Sequence, residues 1–147
     1  MIYRELGDQR GIGIALLTCL GVVACEQGDY ASSSALLGDS LEVWRELDDR
    51  RGIADCLEES AGLAFALRQF ERGACLYGHA SRLRNEMGAP LAACEQSDHD
   101  RRIASARGSF GNDAAFDWAW KEGYGMTPEE AIEYALQERA VIDDPRG

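Results

Sequence analysis

The stretch of sequence that decides the fold is RELGDQRGI at residues 4–12, which recurs as RELDDRRGI at residues 45–53. The two copies differ at only two positions and lie 41 residues apart. A shorter echo, NEMG at residues 85–88, begins 40 residues after the second copy begins. A period of about 40 residues is typical of stacked helical units, so the chain is predicted to be a repeat array.

Each repeat unit is predicted to contain two helices, because apolar residues recur in it at steps of three and four positions. In the first unit, Gly28-Asp29 separates the two stripes, and Asp48-Asp49 is placed to cap the helix that follows. In the second unit the break lies at Arg68-Gln69. No segment alternates between apolar and polar residues, so strands are not expected. The stripes are Ile12, Ala15, Leu16, Cys19, Leu20 and Val23; Tyr30, Ser33, Ser34, Leu37, Leu41, Trp44 and Leu47; Ile53, Leu57, Ala61, Ala64 and Phe65; and Phe70, Ala74, Tyr77, Ala80, Leu83 and Met87.

Two glycines, Gly21 and Gly62, lie inside predicted helices at matching positions of the repeat. Glycine within a helix costs about 1 kcal/mol relative to alanine, so a repeated glycine indicates a steric requirement. We expect the paired helix to approach closely at these points, with Tyr30 or Phe70 on the returning helix packing over the gap.

The repeat ends at Met87, and three further helices are predicted after it. The fifth helix is expected from Pro90 to about Arg107, and the sixth from a cap at Asn112 to near Gly123. The seventh is expected to begin at Thr127-Pro128 and to end near residue 140. The predicted organisation is therefore two hairpins over 1–88, capping helices over 89–140, and a frayed tail over 141–147.

Composition narrows the function classes. The 26 acidic and 15 basic residues give a formal charge of −11, which disfavours nucleic-acid binding because phosphate contacts need a basic surface. No apolar run approaches the roughly 20 residues of a membrane helix, and the first residues lack a secretory signal pattern. The five cysteines form no CxxC pair, so they are expected to be free, buried thiols in a cytoplasmic protein.

A partner-binding groove is predicted on the concave side of the stack, which the first helix of each pair would line. Such a groove would be mostly apolar, with Glu26 and Glu59 at its edge, and suits a helical or extended peptide. The alternative is that neighbouring helices of the chain, such as the sixth and seventh, fill the groove. The predicted lining is Thr18, Val22, Cys25, Glu26, Cys56, Glu59, Leu63 and Ala66.

A second candidate contact is the aromatic segment that contains Trp118 and Trp120. Two positions apart on a helix, these side chains point about 200° apart, so both cannot face one core. One of them is a candidate contact for a partner, and the competing interpretation assigns both to core or capping roles.

Catalytic and metal sites are not predicted. Cys75 and His79 stand four residues apart on one helix, but zinc needs three or four ligands, and Cys94 and His99 would have to fold back. The polar run at 98–100 lacks a partnered nucleophile, and Asp39 and Glu58-Glu59 are interpreted as exposed charge. We therefore expect no enzyme activity, no metal and no cofactor.

The two repeat units resemble the tetratricopeptide repeat, in a variant with a longer period. The arrays of RELGDxRGI-like phrases, together with the final segment, are similar to the C-terminal part of bacterial LuxR-type and signal-transduction ATPase regulators. The residues that carry the resemblance are Leu17, Leu20, Gly21, Ala24, Tyr30, Ser33, Leu37 and Ser40 in the first unit; Ala61, Gly62, Phe65, Phe70, Gly73, Tyr77 and Ala80 in the second; and Phe110, Gly111, Phe116, Trp120, Gly123, Thr127, Glu129 and Glu130 at the end.

The resemblance implies an all-α helical-hairpin superhelix of about seven helices with a C-terminal helical cap. It also implies a non-catalytic interaction or sensor module of a transcriptional regulator, which binds a peptide or another domain of its parent protein. One alternative is an effector-binding domain that holds a small molecule between the groove and the aromatic segment. Another is self-assembly as a homodimer, because a two-unit array exposes apolar ends at Tyr3, Leu6, Leu16 and Leu20.

Overall fold

The computed structural model describes residues 18–88 and 91–143, with side chains as far as residue 137. Over these residues the fold is all-α, with seven helices and no strand, which confirms the predicted fold class. The first helix, α1, is described over residues 18–26, so the predictions made for residues 1–17 lie outside the described residues. The others are α2 (Tyr30–Glu46), α3 (Arg50–Ala66), α4 (Phe70–Met87), α5 (Ala93–Phe110), α6 (Asp113–Gly125) and α7 (Pro128–Asp143).

The turns between α1, α2, α3 and α4 share one form. Each contains one residue with a left-handed backbone, Gly28, Asp48 or Arg68, with φ values of 81°, 52° and 61°. The residue after it precedes the next helix, and at Asp29 and Asp49 the side chain accepts a hydrogen bond from the helix backbone. These turns fold the helices into antiparallel hairpins, as the sequence predicted.

Helix α4 is the centre of the molecule, because it packs against α3 on one side and against α6 on another. Helix α7 packs mainly against α2 and adds Ile132 and Ala135 to the core. The rest of that core comes from α2, α3 and α4, namely Leu41, Ile53, Ala54, Cys56, Leu57, Ala61, Leu76, Tyr77, Ala80 and Leu83. The stripes predicted for the second unit are therefore its buried faces.

Close contact between α4 and α6 depends on two glycines. A Cβ atom at Gly78 would collide with the backbone carbonyl of Trp120, and one at Gly123 would collide with that of Cys75. Backbone atoms cannot move aside as flexible side chains can, so these two positions require glycine. Close approach of a neighbouring helix was expected at Gly21 and Gly62. The structure shows the closest approach of a neighbouring helix backbone at Gly78 and Gly123 instead.

The predicted covering of Gly62 by Phe70 is wrong. The guanidinium of Arg102, on α5, lies 2.9 Å from the position of a Cβ at Gly62. Phe70 instead stacks with Phe65 and Phe110. Gly21 does face the returning helix of its hairpin, but its neighbour is Leu37, at 2.9 Å, rather than Tyr30.

The apolar stripe predicted for the first helix is also wrong over its described part. Cys19, Leu20 and Val23 are exposed, whereas Gly21 and Ala24 are the residues of α1 that are buried. Periodicity identifies an apolar face but cannot tell whether a neighbouring element covers it. In this structure Leu20 lies on the outer side of α1, and Cys19 and Val23 lie beside an open groove.

The C-terminal helices begin close to the predicted signals, with small differences. Asn112 caps α6, and Thr127 and Glu130 form a reciprocal capping box at the start of α7, with hydrogen bonds of 3.0 and 3.1 Å. Helix α5 begins at Ala93 rather than at Pro90 and continues to Phe110, and α6 continues to Gly125. Within the described part of the chain, no helix has the length and apolar character that crossing a membrane requires.

Candidate functional site

An open groove with a volume of about 590 Å³ lies between α1, α3 and the beginning of α5, with Trp44 of α2 at its side. We call it the inner groove. Its apolar lining is Cys19, Val22, Val23, Trp44 and Leu91, and its polar lining is Thr18, Glu26, Asp55, Glu58, Glu59, Glu95 and His99. A smaller cavity of about 190 Å³ adjoins it between α1 and α3.

The structure places most of the predicted partner-binding residues around these two spaces. Thr18, Val22, Glu26 and Glu59 line the inner groove. Cys25 and Leu63 line the smaller cavity, together with Val22, Glu26 and Glu59.

Three of the predicted lining residues are poorly placed for a partner. Cys56 is fully buried, and its Sγ lies 3.3 Å from the hydroxyl of Ser40. Leu63 has only 1% of its surface exposed. Ala66 is exposed but lines a separate cavity of about 380 Å³ beside Phe70. The spacing of these residues along their helix predicted that their side chains lie on the inner side. It could not predict how far each side chain is buried.

Helix α5, and not α6 or α7, closes one end of the groove region. The Nη1 atom of Arg102 donates a hydrogen bond of 3.1 Å to the Tyr77 hydroxyl and lies 3.6 Å from the Glu59 carboxylate. The Tyr77 hydroxyl also lies 2.8 Å from Nδ1 of His99. The expectation that the sixth and seventh helices fill the groove is therefore wrong, since α6 packs on α4 and α7 packs on α2.

A buried ion pair lies beneath the acidic side of the inner groove. Arg84 of α4 donates two hydrogen bonds to the carboxylate of Glu58, at 2.9 and 2.6 Å, and one to Asp55. Arg84 and Glu58 are only 8% and 4% exposed, so the prediction that Glu58 is exposed charge is wrong. The sequence contained one indication that Glu58 is buried, because Glu58 lies on the same helix face as Ala54 and Ala61.

The carboxylate of Glu59 is half-buried and lines both the inner groove and the smaller cavity. Burial raises the pKa of Glu59 above its usual value, and the nearby Arg102 guanidinium acts in the opposite direction. A half-buried carboxylate of this kind is stabilised in its charged form by an additional cation.

The two tryptophans of α6 point to different sides, as the helix geometry predicted. The side chain of Trp118 is 66% exposed. Trp120 is half-buried and stacks parallel to Tyr77, with ring centroids 6.3 Å apart. Trp120 therefore packs in the interior, and neither tryptophan lines the inner groove.

The histidines and cysteines of the described residues do not come together in a metal site. No group of three or more histidine, cysteine or acidic side chains is close enough to hold a metal ion in the part of the chain that the structure describes. His79 is buried, with Nδ1 3.1 Å from the carbonyl oxygen of Gly123. Cys56 and Cys75 are buried, but Cys19 and Cys94 are exposed, so the expectation of buried thiols is wrong for these two.

Comparison with known proteins gives one type of relative. No protein-family model matches the chain, and no solved structure matches it. The chain is similar to proteins described as "Putative HTH-type transcriptional regulator" from Mycobacterium bovis and from two strains of Mycobacterium tuberculosis. Each is 29% identical over 129 residues, which make up 88% of this chain and 14% of the relative.

Proposed function

We propose that this chain is a non-catalytic interaction module of a bacterial transcriptional regulator, and that its inner groove binds a segment of a partner protein. The observation that carries the proposal is the open groove of about 590 Å³ with an apolar floor. The partner is another protein or another domain of the parent regulator, in the cytoplasm.

The lining supports a protein segment as the occupant. Val22, Val23, Trp44 and Leu91 provide apolar surface between helices, which suits the apolar face of an amphipathic helix or an extended peptide. Carboxylates surround this floor and supply polar contacts at the rim. This combination of apolar centre and polar rim is typical of peptide-binding grooves.

The comparisons support the regulatory context. The relatives are named as transcriptional regulators and are about seven times as long as the matched segment. We propose that the hairpins are tetratricopeptide-like and act as the contact module of such a protein. With a net charge of −11, this chain is not proposed to contact DNA itself.

The test uses Val22, which is half-buried on the groove floor, and Leu20, which is 54% exposed on the outer side of the same helix. Peptides selected by the wild-type chain from a displayed library are measured by calorimetry against Val22→Arg and Leu20→Arg. We expect Val22→Arg to weaken binding at least tenfold and Leu20→Arg to leave it unchanged, with equal helical content by circular dichroism. Equal binding by Val22→Arg and the wild type would refute the groove assignment.

Self-association is a second candidate function, which the outer face of α1 favours. The turns of the two hairpins align at a spacing of 40 residues, so Leu20 corresponds to Ser60. Leu20 is 54% exposed, whereas Ser60 is only 5% exposed. The outer face of α1 thus corresponds to a face that is buried in the second hairpin.

A second copy of the chain would cover this face in a homodimer. Sedimentation of the wild type should then show a dimer at micromolar concentration, and the variant Leu20→Glu should be a monomer. A wild-type chain that stays monomeric at millimolar concentration would exclude this candidate.

A further inference from the structure

We infer that the segment bound in the inner groove is basic and amphipathic, with arginine or lysine side chains beside an apolar face. This inference rests on the proposed function, because it specifies the chemistry of the partner that the groove binds. Three features carry it: the charge of the lining, the way in which the chain itself places an arginine beside the groove, and the apolar floor.

The charge of the lining is strongly unbalanced. Five carboxylates line the inner groove, and none of the described lining residues is lysine or arginine. Two guanidinium groups reach these carboxylates from behind or from the side, Arg84 at Asp55 and Glu58, and Arg102 at Glu59. Three negative charges remain uncompensated by these two guanidinium groups, and a partner of opposite charge would balance them. The five are Glu26, Asp55, Glu58, Glu59 and Glu95.

Arg102 shows how this surface accommodates a cation on a helix. Helix α5 crosses the inner side and places the guanidinium of Arg102 over Gly62, where no side chain intervenes. There the guanidinium lies 3.6 Å from the Glu59 carboxylate and donates a hydrogen bond to Tyr77. The inner groove extends beyond the contact between Arg102 and Glu59. Glu59 lines both the inner groove and the smaller cavity that adjoins it. A partner helix that carries arginine would form the same kind of ion pair with the other carboxylates along the inner groove.

The floor explains why the partner is amphipathic rather than merely basic. Arginine and lysine have long apolar stems that pack on apolar surface while the charged end reaches a carboxylate. Val22 and Val23 offer such a surface, and the indole of Trp44 is a ring on which a cation can lie. A highly charged tail without apolar residues would leave this floor uncovered.

The experiment compares two synthetic 15-residue peptides that share the same leucine-bearing helical face. One carries four arginines beside that face, and the other carries four glutamates. Calorimetry at about 0.1 M salt should show the arginine peptide binding at least tenfold more tightly to the wild-type chain. Glu26→Gln/Glu95→Gln should weaken binding of the arginine peptide at least threefold.

The control for bulk charge is Glu71→Gln/Glu122→Gln, which removes the same charge from exposed residues on α4 and α6, away from the groove. Its affinity for the arginine peptide should equal that of the wild type. Equal weakening by both double variants would overturn the inference, because attraction to the overall charge of −11 would then explain the binding.

The outcomes also separate this inference from the proposed function. If both peptides bind equally and Val22→Arg abolishes binding of both, the groove binds segments without selecting charge, and only the inference fails. If the library peptides bind at Val22 but are not basic, the inference fails and the proposed function stands. If no peptide of either kind binds at Val22, the proposed function fails as well.

Discussion

At the scale of single residues, what lies next to a backbone atom decides which side chain is allowed. Gly62 and Gly123 are both helical glycines, but they meet different neighbours. The end of the flexible Arg102 side chain covers Gly62, whereas the backbone carbonyl of Cys75 lies against Gly123. A flexible side chain can retreat and a helix backbone cannot, so the second glycine is the stricter requirement.

Replacement of Gly123 by alanine is expected to lower the free energy of unfolding by more than about 2 kcal/mol, because the added methyl group forces α6 away from α4. Urea denaturation measures this change. The matched control is Gly108→Ala in α5, where no atom lies within 4 Å of the added methyl group. That variant should be more stable by up to about 1 kcal/mol, since alanine favours the helix. A loss of stability in Gly108→Ala similar to that in Gly123→Ala would contradict this interpretation.

At the scale of helices, α5 differs from the helices of the second hairpin. Ala106 is the only buried residue of α5, whereas eleven residues of α4 are buried. Its remaining contacts with the rest of the molecule include those of Arg102 with Tyr77 and Glu59 and of His99 with Tyr77. A helix that buries so little apolar surface opens locally at a lower free energy than the core helices.

We therefore expect amide hydrogens of α5 to exchange with deuterium at least tenfold faster than those of α3 and α4. Arg102→Gln should accelerate exchange in α5 further, because it removes the ion pair with Glu59. The control is Arg101→Gln, since the Arg101 side chain is exposed and forms an ion pair with Asp98 of the same helix. Equal protection of α5 and α4 in the wild type would show that α5 is held as firmly as the core.

At the scale of the whole molecule, burial of titratable groups links stability to pH. Burial lowers the pKa of His79 below 6.5, and the positive charge of Arg82 acts in the same direction. The hydrogen bond with Gly123 and the carboxylate of Glu86 oppose this shift. The unfolded chain therefore takes up the proton first as the pH falls.

It follows that the stability contributed by neutral His79 is complete above pH 6.5 and is lost as the pH falls from 6.5 towards the lower pKa of the folded state. Urea denaturation at pH 7.5 and pH 5.5 should show lower stability at pH 5.5. Glu59 has the opposite effect because its pKa is raised, so the comparison with His79→Gln isolates the histidine. That variant should lose less stability between the two pH values, and an unchanged loss would assign the effect to other groups.

Local signals in the sequence predicted the helices well. Asp49, Asn112 and the Thr127 capping box mark helix starts that the structure confirms. These features depend on residues three or four positions apart, so short-range chemistry suffices to predict them. The repeat likewise predicted antiparallel hairpins, since each unit must bury its stripe against the next.

The tertiary structure alone decided which faces are covered and at what depth. Periodicity assigned Val22 to the inner side correctly but also assigned buried Cys56 to a partner, and it interpreted exposed Leu20 as core. It gave no sign that α5 would place Arg102 over Gly62 or that Arg84 would reach Glu58. These contacts join residues 26 to 40 positions apart. They depend on how whole helices pack, which no local pattern of residues specifies.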